Sequence, residues 1–181
     1  SDLEHPCQAL GDLLTIQEHK GGLDGVKIAF VGDGNNVASS LALGCASVGA
    51  DFILASPEDY RLPGVVLEEA GRRAALREST VEWVESPRAA VRDADVVYTD
   101  VWVSMGHEGE ETERLEAFSG YRVDGALMKG AKPDAVFMHD MPAHRGLEVS
   151  EDMLEHPQSV VFDQAENRLH AQKAVLAELF S

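Results

Sequence analysis

Residues 26–49 read VKIAFVGDGNNVASSLALGCASVG and place three patterns in succession. The continuous apolar run at 26–31 is typical of a strand that is buried on both faces of a sheet. The polar turn GDGNN follows, and the stretch from Val37 to Gly49 has the composition of a helix. A strand, a tight turn and a helix in this order form the unit from which parallel sheets are built.

The same order recurs on both sides of this stretch. Further apolar runs stand at 52–55, 80–84, 95–101, 135–139 and 159–162, and helical patterns stand at 63–75, from Pro87, at 112–118, around 123–130 and at 164–179. The pattern predicts an α/β fold, a doubly wound, Rossmann-like parallel sheet flanked by helices, in a single domain over residues 1–181. The run at 159–162 is predicted to be a sixth strand. Asp163 is predicted to cap the last helix, with Glu166 completing a capping box.

Composition and charge exclude several classes of function. The chain of 181 residues has 15 Lys and Arg against 32 Asp and Glu, which gives a formal net charge of −17. This charge argues against a nucleic-acid or anionic-membrane surface. No apolar run approaches the length of a membrane span. The two cysteines, Cys7 and Cys45, form no disulfide or zinc pattern, so a reducing, cytoplasmic setting is expected.

Polar residues follow the predicted strands. They are Gly32 to Asn36 after the first strand, Asp100, Ser104 and Met105 after the fourth, His139 and Asp140 after the fifth, and Asp163 after the sixth. Ligands of such sheets bind beyond the carboxyl ends of the strands, so these side chains are expected to meet in one crevice. Carboxylates, carboxamides and a hydroxyl suit a small ligand that carries amino groups.

Two other kinds of site, for a dinucleotide and for a metal ion, fit the residues less well. A dinucleotide site needs G-x-G-x-x-G, but Val37 occupies the third glycine position and the nearest acidic residue, Glu58, comes late. As a plain turn, the stretch would use Gly34 for an unusual backbone and Asn36 as the helix cap. A metal site built from Asp100, His139, Asp140 and His144 fits no established zinc spacing.

The loop TDVWVSMGHEGEE, residues 99–111, has two interpretations. Trp102 is either a core aromatic followed by a mobile surface loop, or part of a loop that closes over a ligand. In the second case Asp100 would bind an amine and Ser104 a carboxylate.

Five motifs taken together resemble the second half of ornithine carbamoyltransferase. They are HPCQALGDLLTI, FVGDGNNVASSL, DVWVSMG, FMHDMPAHRG and VVFDQAENRLHAQKAVL, in this order from His5 to the C-terminus. The S-M-G loop resembles the ornithine enzymes rather than the aspartate enzymes. The resemblance implies transfer of a carbamoyl group from carbamoyl phosphate to L-ornithine, giving citrulline and phosphate in arginine biosynthesis, with no metal and no other cofactor.

The resemblance also implies a role for individual residues. Ornithine would be held by Asn36, Asp100, Ser104 and Met105, and carbamoyl phosphate by His5, Gln8, Asp140, Met141 and Arg168. Asp100 and Asp140 are expected to stand nearest to the reacting amine. The δ-amine would attack the carbamoyl carbon directly while hydrogen-bond donors stabilise the oxyanion.

The chain departs from the family pattern in two ways. No S-x-R-T phosphate loop is present, so the chain is expected to be the ornithine-binding domain without the N-terminal carbamoyl phosphate domain, and inactive alone. The full-length family forms homotrimers, whereas this chain is expected to be a monomer or to self-associate weakly. The family motif H-C-L-P is His139-Asp140-Met141-Pro142 here, so a carboxylate replaces a thiol.

Three functions are compatible with these observations. The chain is either the ornithine-binding half of a carbamoyltransferase, or an amino-acid-binding module without catalysis, natural or engineered, or a dinucleotide-dependent enzyme. A paralogue acting on another amine is a variant of the first, because Asp140 changes the pocket.

Overall fold

The computed structural model describes residue 1, residues 3–103 and residues 108–181. Five parallel strands form one sheet in the order β3-β2-β1-β4-β5. The strands are β1 (Lys27–Val31), β2 (Asp51–Ala55), β3 (Val81–Val84), β4 (Val96–Thr99) and β5 (Val136–His139). The predicted α/β class and doubly wound parallel sheet are confirmed.

Seven α-helices connect and flank these strands within the described ranges. They are α1 (Pro6–Lys20), α2 (Asn36–Val48), α3 (Gly64–Ala75), α4 (Pro87–Ala90), α5 (Glu111–Ala117), α6 (Gly125–Met128) and α7 (Val161–Phe180). None of the helices in this part of the chain combines the length and the apolar character that a membrane span requires.

The prediction of a sixth strand at 159–162 is wrong. Ser159 forms an isolated bridge with Phe137 of β5, and helix α7 begins directly afterwards at Val161. Asp163 therefore lies in the first turn of α7 instead of capping it, and its carboxylate lies 3.0 Å from Nε2 of His19 on α1. The buried apolar pair Val160 and Val161, which resembled strand sequence, packs the start of this helix against the sheet.

The core lies on both faces of the sheet, as the continuous apolar runs predicted. Alternate residues of β1 enter two different clusters: Ile28 and Phe30 pack on one face, and Ala29 and Val31 on the other. All four are fully buried. Burial of a side chain such as Phe30 contributes roughly 1.5–3 kcal/mol, so this alternation fixes the register of the central strand.

Helix α7 packs across helix α1. Nδ2 of Asn167 donates to Oγ1 of Thr15 at 3.0 Å and to Oε2 of Glu18 at 2.7 Å. Gly11 permits the close approach, because a Cβ there would lie 3.2 Å from Cδ of Arg168 and 3.4 Å from its backbone. The packing brings the first half of each helix to the strand-end edge of the sheet.

Candidate active site

The carboxyl ends of β1, β4 and β5 lie side by side because the three strands are parallel neighbours. The turn after β1 approaches another segment so closely that only glycine fits at one position. A Cβ on Gly34 would lie 2.5 Å from the carbonyl carbon of Arg61. The turn thereby carries its two asparagines to the edge where β4 ends.

Asn35, rather than Asn36, caps helix α2 and reaches the next strand end. Its Oδ1 accepts hydrogen bonds from the backbone N–H groups of Val37 and Ala38, and its Nδ2 donates to Oδ2 of Asp100 at 2.7 Å. The expectation that Asn36 caps the helix is therefore wrong, since the cap must precede the first helical residue. Nδ2 of Asn36 donates instead to the carbonyl of Ser1 at 2.8 Å.

Asp100 accepts hydrogen bonds on both of its oxygens. Besides the bond from Asn35, Oδ1 accepts a hydrogen bond from the backbone N–H of Val101 at 2.6 Å. Its exposed fraction is 6%. Hydrogen bonds donated to a carboxylate stabilise its charged form, so these two donors offset part of the cost of burying this group at the end of β4.

Asp140 lies directly beside Asp100. Oxygen and nitrogen atoms of Asp100, His139 and Asp140 lie within 4.8 Å of one another. Oδ1 of Asp140 is buried and lacks a hydrogen-bond partner among the described residues. Burial, together with the negative charge of Asp100, raises the pKa of Asp140 well above its ordinary value.

The ring of His139, next to this pair, is held by two neighbours. Its Nδ1 accepts a hydrogen bond from the backbone N–H of Met141 at 2.9 Å, and its Nε2 lies 3.2 Å from Oε1 of Glu148. These contacts assign the proton to Nε2, which donates to the carboxylate. Nδ1 is thus occupied, and His144 also belongs to the Glu148 cluster, because its backbone N–H donates to Oε1 of Glu148. The four residues considered for a metal therefore do not form one ligand set.

The residues expected to contact carbamoyl phosphate come from three places: His5 and Gln8 from the start of α1, Asp140 and Met141 from the end of β5, and Arg168 from α7. Nη1 of Arg168 donates to Oε1 of Gln8, and Met141 packs half-buried against the core. Burial lowers the pKa of His5, the charge of Arg168 lowers it further, and Asp100 opposes the change. His5 therefore lies within electrostatic reach of both Arg168 and Asp100.

A buried network that the sequence did not indicate lies beneath these residues, centred on Asp12. Its Oδ1 accepts from Nε2 of Gln8 at 2.8 Å and from Nε2 of Gln164 at 2.7 Å, and its Oδ2 accepts from the hydroxyl of Tyr98 at 3.1 Å. Burial raises the pKa of Asp12 to about 6, although these hydrogen bonds oppose the change. The spacing of Gln8 and Asp12, four apart on one helix face, was the available signal.

The network also reaches β5. Oε1 of Gln164 accepts a hydrogen bond from the backbone N–H of His139 at 2.9 Å. Helices α1 and α7 and strands β4 and β5 are thus joined under the site, which fixes Asp140 relative to Gln8.

The start of the S-M-G loop is anchored to the turn after β1. Nη1 of Arg114 donates to Oδ2 of Asp33 at 2.6 Å and to the carbonyl of Trp102 at 3.1 Å. Trp102 is buried and stacks on Phe118, with ring centroids 5.7 Å apart. Trp102 is therefore a core aromatic, as the first of the two interpretations predicted. Ser104 and Met105 lie outside the described residues.

A cavity of about 250 Å³ lies next to this anchor. Trp102, Leu115, Leu147 and Glu148 are among the residues that line it. In the described part of the chain, Nε1 of Trp102 and Oε2 of Glu148 are buried without a hydrogen-bond partner. The cavity does not include Asp100 or Asp140, so the carboxylate pair forms a separate feature.

The fold and these strand-end residues define a carbamoyltransferase domain. Residues 24–179 match the family model described as aspartate/ornithine carbamoyltransferase, Asp/Orn binding domain. The chain therefore belongs to this family.

The relatives among curated proteins are ornithine carbamoyltransferases. The anabolic enzyme of Pyrococcus furiosus is 54% identical over 177 residues, covering 98% of this chain and 56% of the relative. The enzyme of Methanopyrus kandleri is 56% identical over 179 residues, covering 99% of this chain and 57% of the relative. The chain thus spans about half the length of the curated relatives it matches.

Solved structures show the same similarity. Ornithine carbamoyltransferase from Pyrococcus furiosus has a TM-score of 0.94 at 54% identity, over 98% of this chain and 56% of that one. The enzyme from Gloeobacter violaceus has a TM-score of 0.92 at 46% identity, over 99% of this chain and 60% of that one.

Proposed function

We propose that this chain is the L-ornithine-binding half of an ornithine carbamoyltransferase. The reaction is carbamoyl phosphate plus L-ornithine to L-citrulline plus phosphate, a step of arginine biosynthesis. The observation that carries the proposal is the meeting of Asp100 and Asp140, beside the asparagine turn, at one edge of the parallel sheet. Two carboxylates there favour a ligand with ammonium groups.

The roles implied by the family motifs divide into two groups. In this proposal Asn36, Asp100, Ser104 and Met105 hold ornithine. His5, Gln8, Asp140, Met141 and Arg168 face carbamoyl phosphate. The contact of Arg168 with Gln8, and the electrostatic coupling of His5 to both Arg168 and Asp100, support this division.

In this reaction the protein positions the two substrates and forms no covalent bond with either of them. The neutral δ-amine attacks the carbamoyl carbon, and hydrogen bonds donated by His5 and by the Arg168 guanidinium stabilise the charge that develops on the carbamoyl oxygen. The curated relatives are nearly twice as long as this chain. The proposal therefore includes a second, carbamoyl phosphate-binding domain as the necessary partner, with the full assembly trimeric and cytoplasmic.

Asp140 supports a second candidate, an amino-acid-binding module with weak or no catalysis. A carboxylate in place of the family cysteine attracts an ammonium group, but it stabilises the protonated, unreactive amine and repels phosphate. Binding would be kept while transfer is slowed.

A citrulline assay separates these possibilities. The chain is assayed with carbamoyl phosphate and ornithine alone, and then fused to the N-terminal part of the Pyrococcus furiosus relative. The proposal predicts that the chain alone forms no citrulline above background and that the fusion does form citrulline. The fusion that carries Asp140→Cys should form it faster than the unmodified fusion. Citrulline from the chain alone contradicts the need for a partner domain. An inactive fusion in both forms, with ornithine still bound, favours the binding module.

A further inference from the structure

Asp100 and Asp140 place two carboxyl groups close together in a buried position at the ends of β4 and β5. Asp100 is 6% exposed and the side chain of Asp140 is 12% exposed. Their oxygens lie within 4.8 Å of each other. At this distance two buried carboxylates repel each other strongly unless a cation or a proton lies between them.

The groups that face the pair do not supply a cation. Nδ1 of His139 lies 3.6 Å from Oδ1 of Asp140, but this nitrogen accepts the backbone N–H of Met141 and so offers no proton to the carboxylate. Asp12 on α1 and the hydroxyl of Tyr98 on β4 lie beneath, and Asp12 adds negative charge. Among the described residues, no lysine or arginine forms an ion pair with either carboxylate.

Two arginines of the surrounding helices are engaged with other partners. Arg168 in α7 donates to Gln8, and Arg114 in α5 donates to Asp33. His5, ahead of α1, is held toward its neutral form by burial and by Arg168, which lower its pKa. The charge of the pair must therefore be balanced by a proton or by a ligand.

We infer that the empty site holds one proton on the Asp100–Asp140 pair, carried by Asp140, and that an ammonium group of the ligand replaces this proton. The assignment of the ligand as ornithine rests on the proposed function. In the exchange the O–H bond of Asp140 breaks and its proton leaves for the buffer. The pair changes from −1 to −2 while a charge of +1 enters, so the total charge of the site is unchanged.

Asp140, rather than Asp100, carries the proton because only Asp100 is stabilised as an anion. Asp100 accepts hydrogen bonds from Nδ2 of Asn35 and from the backbone N–H of Val101. Oδ1 of Asp140 accepts none from the described residues. Burial and the charge of Asp100 also raise the pKa of Asp140. Protons and ammonium ligands then compete for the same position between the two carboxylates. The affinity for the ammonium ligand should therefore rise with pH, by up to about tenfold per pH unit.

Calorimetric titration of L-ornithine near neutral pH, in two buffers of different ionisation enthalpy, counts the protons released. We expect about one proton per ornithine bound by the unmodified chain and none by Asp140→Asn, which keeps the size of the side chain but cannot titrate. Binding by the unmodified chain without proton release overturns the inference while leaving the proposed function intact. The number of protons released by the unmodified chain tests the inference even if the Asp140→Asn variant does not fold.

A second measurement tests the proton without any ligand. The infrared carbonyl band of a protonated carboxyl group should be present in the empty chain near neutral pH, and Asp140→Asn should lose most of it, leaving only the small contribution of Asp12, whose pKa is about 6. The matched control is Glu82→Gln, an exposed acid on β3, which should leave the band unchanged. If ornithine does not bind but the band is lost as expected, the proposed function fails and the shared proton stands. An unchanged band in Asp140→Asn overturns the inference.

Discussion

Two adjacent asparagines in the turn after β1 have separable roles. Asn35 caps α2 through two backbone N–H groups and also donates to Asp100. Asn36 contacts only the Ser1 carbonyl in the hydrogen bonds described. One residue therefore maintains the fold, and the other is available for a ligand.

Replacement of Asn35 by Ala should lower the free energy of unfolding by about 2–3 kcal/mol, because both the cap and a bond to a buried charge are lost. The matched change Asn36→Ala should alter it by less than about 0.5 kcal/mol while weakening ornithine binding. Urea denaturation of the two variants checks this. Equal losses of stability would contradict the separation of roles.

Asp12 should make stability depend on pH in a defined direction. The folded-state pKa of Asp12, about 6, lies above the ordinary aspartate value of 3.8. As pH rises between these values, the unfolded chain loses this proton first. The folded state therefore loses stability relative to the unfolded state, by about 3 kcal/mol for two pKa units.

The comparison with Asp12→Asn isolates this contribution, because all other titrating groups remain in both proteins. The stability of the unmodified chain relative to Asp12→Asn should fall by about 2.4 kcal/mol between pH 4 and pH 7. Urea titrations at several pH values measure it. A difference between the two proteins that stays constant with pH would show that Asp12 does not titrate in this range.

At the scale of elements, the contact between α1 and α7 depends on a glycine. Gly11→Val would place its Cβ 3.2 Å from Cδ of Arg168 and its methyl groups against the α7 backbone. We expect a loss of about 1–3 kcal/mol from overpacking, together with displacement of Arg168 from Gln8. The control is Gly71→Ala in α3, where a Cβ meets nothing within 4 Å. This change should stabilise by about 0.5–1 kcal/mol, and thermal unfolding of both variants tests the pair.

The elements themselves were largely predictable, and the exceptions have physical reasons. Continuous apolar runs identified β1 to β5 because both faces of the sheet are covered. The run at 159–162 failed because Val160 and Val161 are buried at a helix start, and burial alone does not distinguish this from a strand. Asn35 was overlooked in favour of Asn36, since the sequence does not fix which residue precedes the first helical turn.

The site was predictable only in part. Asp100 and Asp140 were expected to meet because parallel strands end at one edge, and they do. Asp12, Tyr98 and Gln164 come from α1, β4 and α7, and no local pattern shows that they share a hydrogen-bond network.

At the scale of the whole molecule, the net charge of −17 should weaken the folded state through self-repulsion. Raising NaCl from about 10 mM to about 150 mM shortens the screening length from about 30 Å to about 8 Å. The urea concentration at which half of the protein is unfolded should therefore rise with NaCl concentration. KCl at the same concentration should have the same effect. A midpoint that falls with salt would mean that surface ion pairs outweigh the repulsion.

The central claim is that the strand-end carboxylates bind a diamino acid. Calorimetric titration of L-ornithine into the chain, and into a folded Asp100→Asn variant, tests it most directly. The account predicts saturable binding to the unmodified chain and at least about tenfold weaker binding to the variant, since that factor corresponds to only about 1.4 kcal/mol. No binding to the unmodified chain, or equal binding to both proteins, would contradict it.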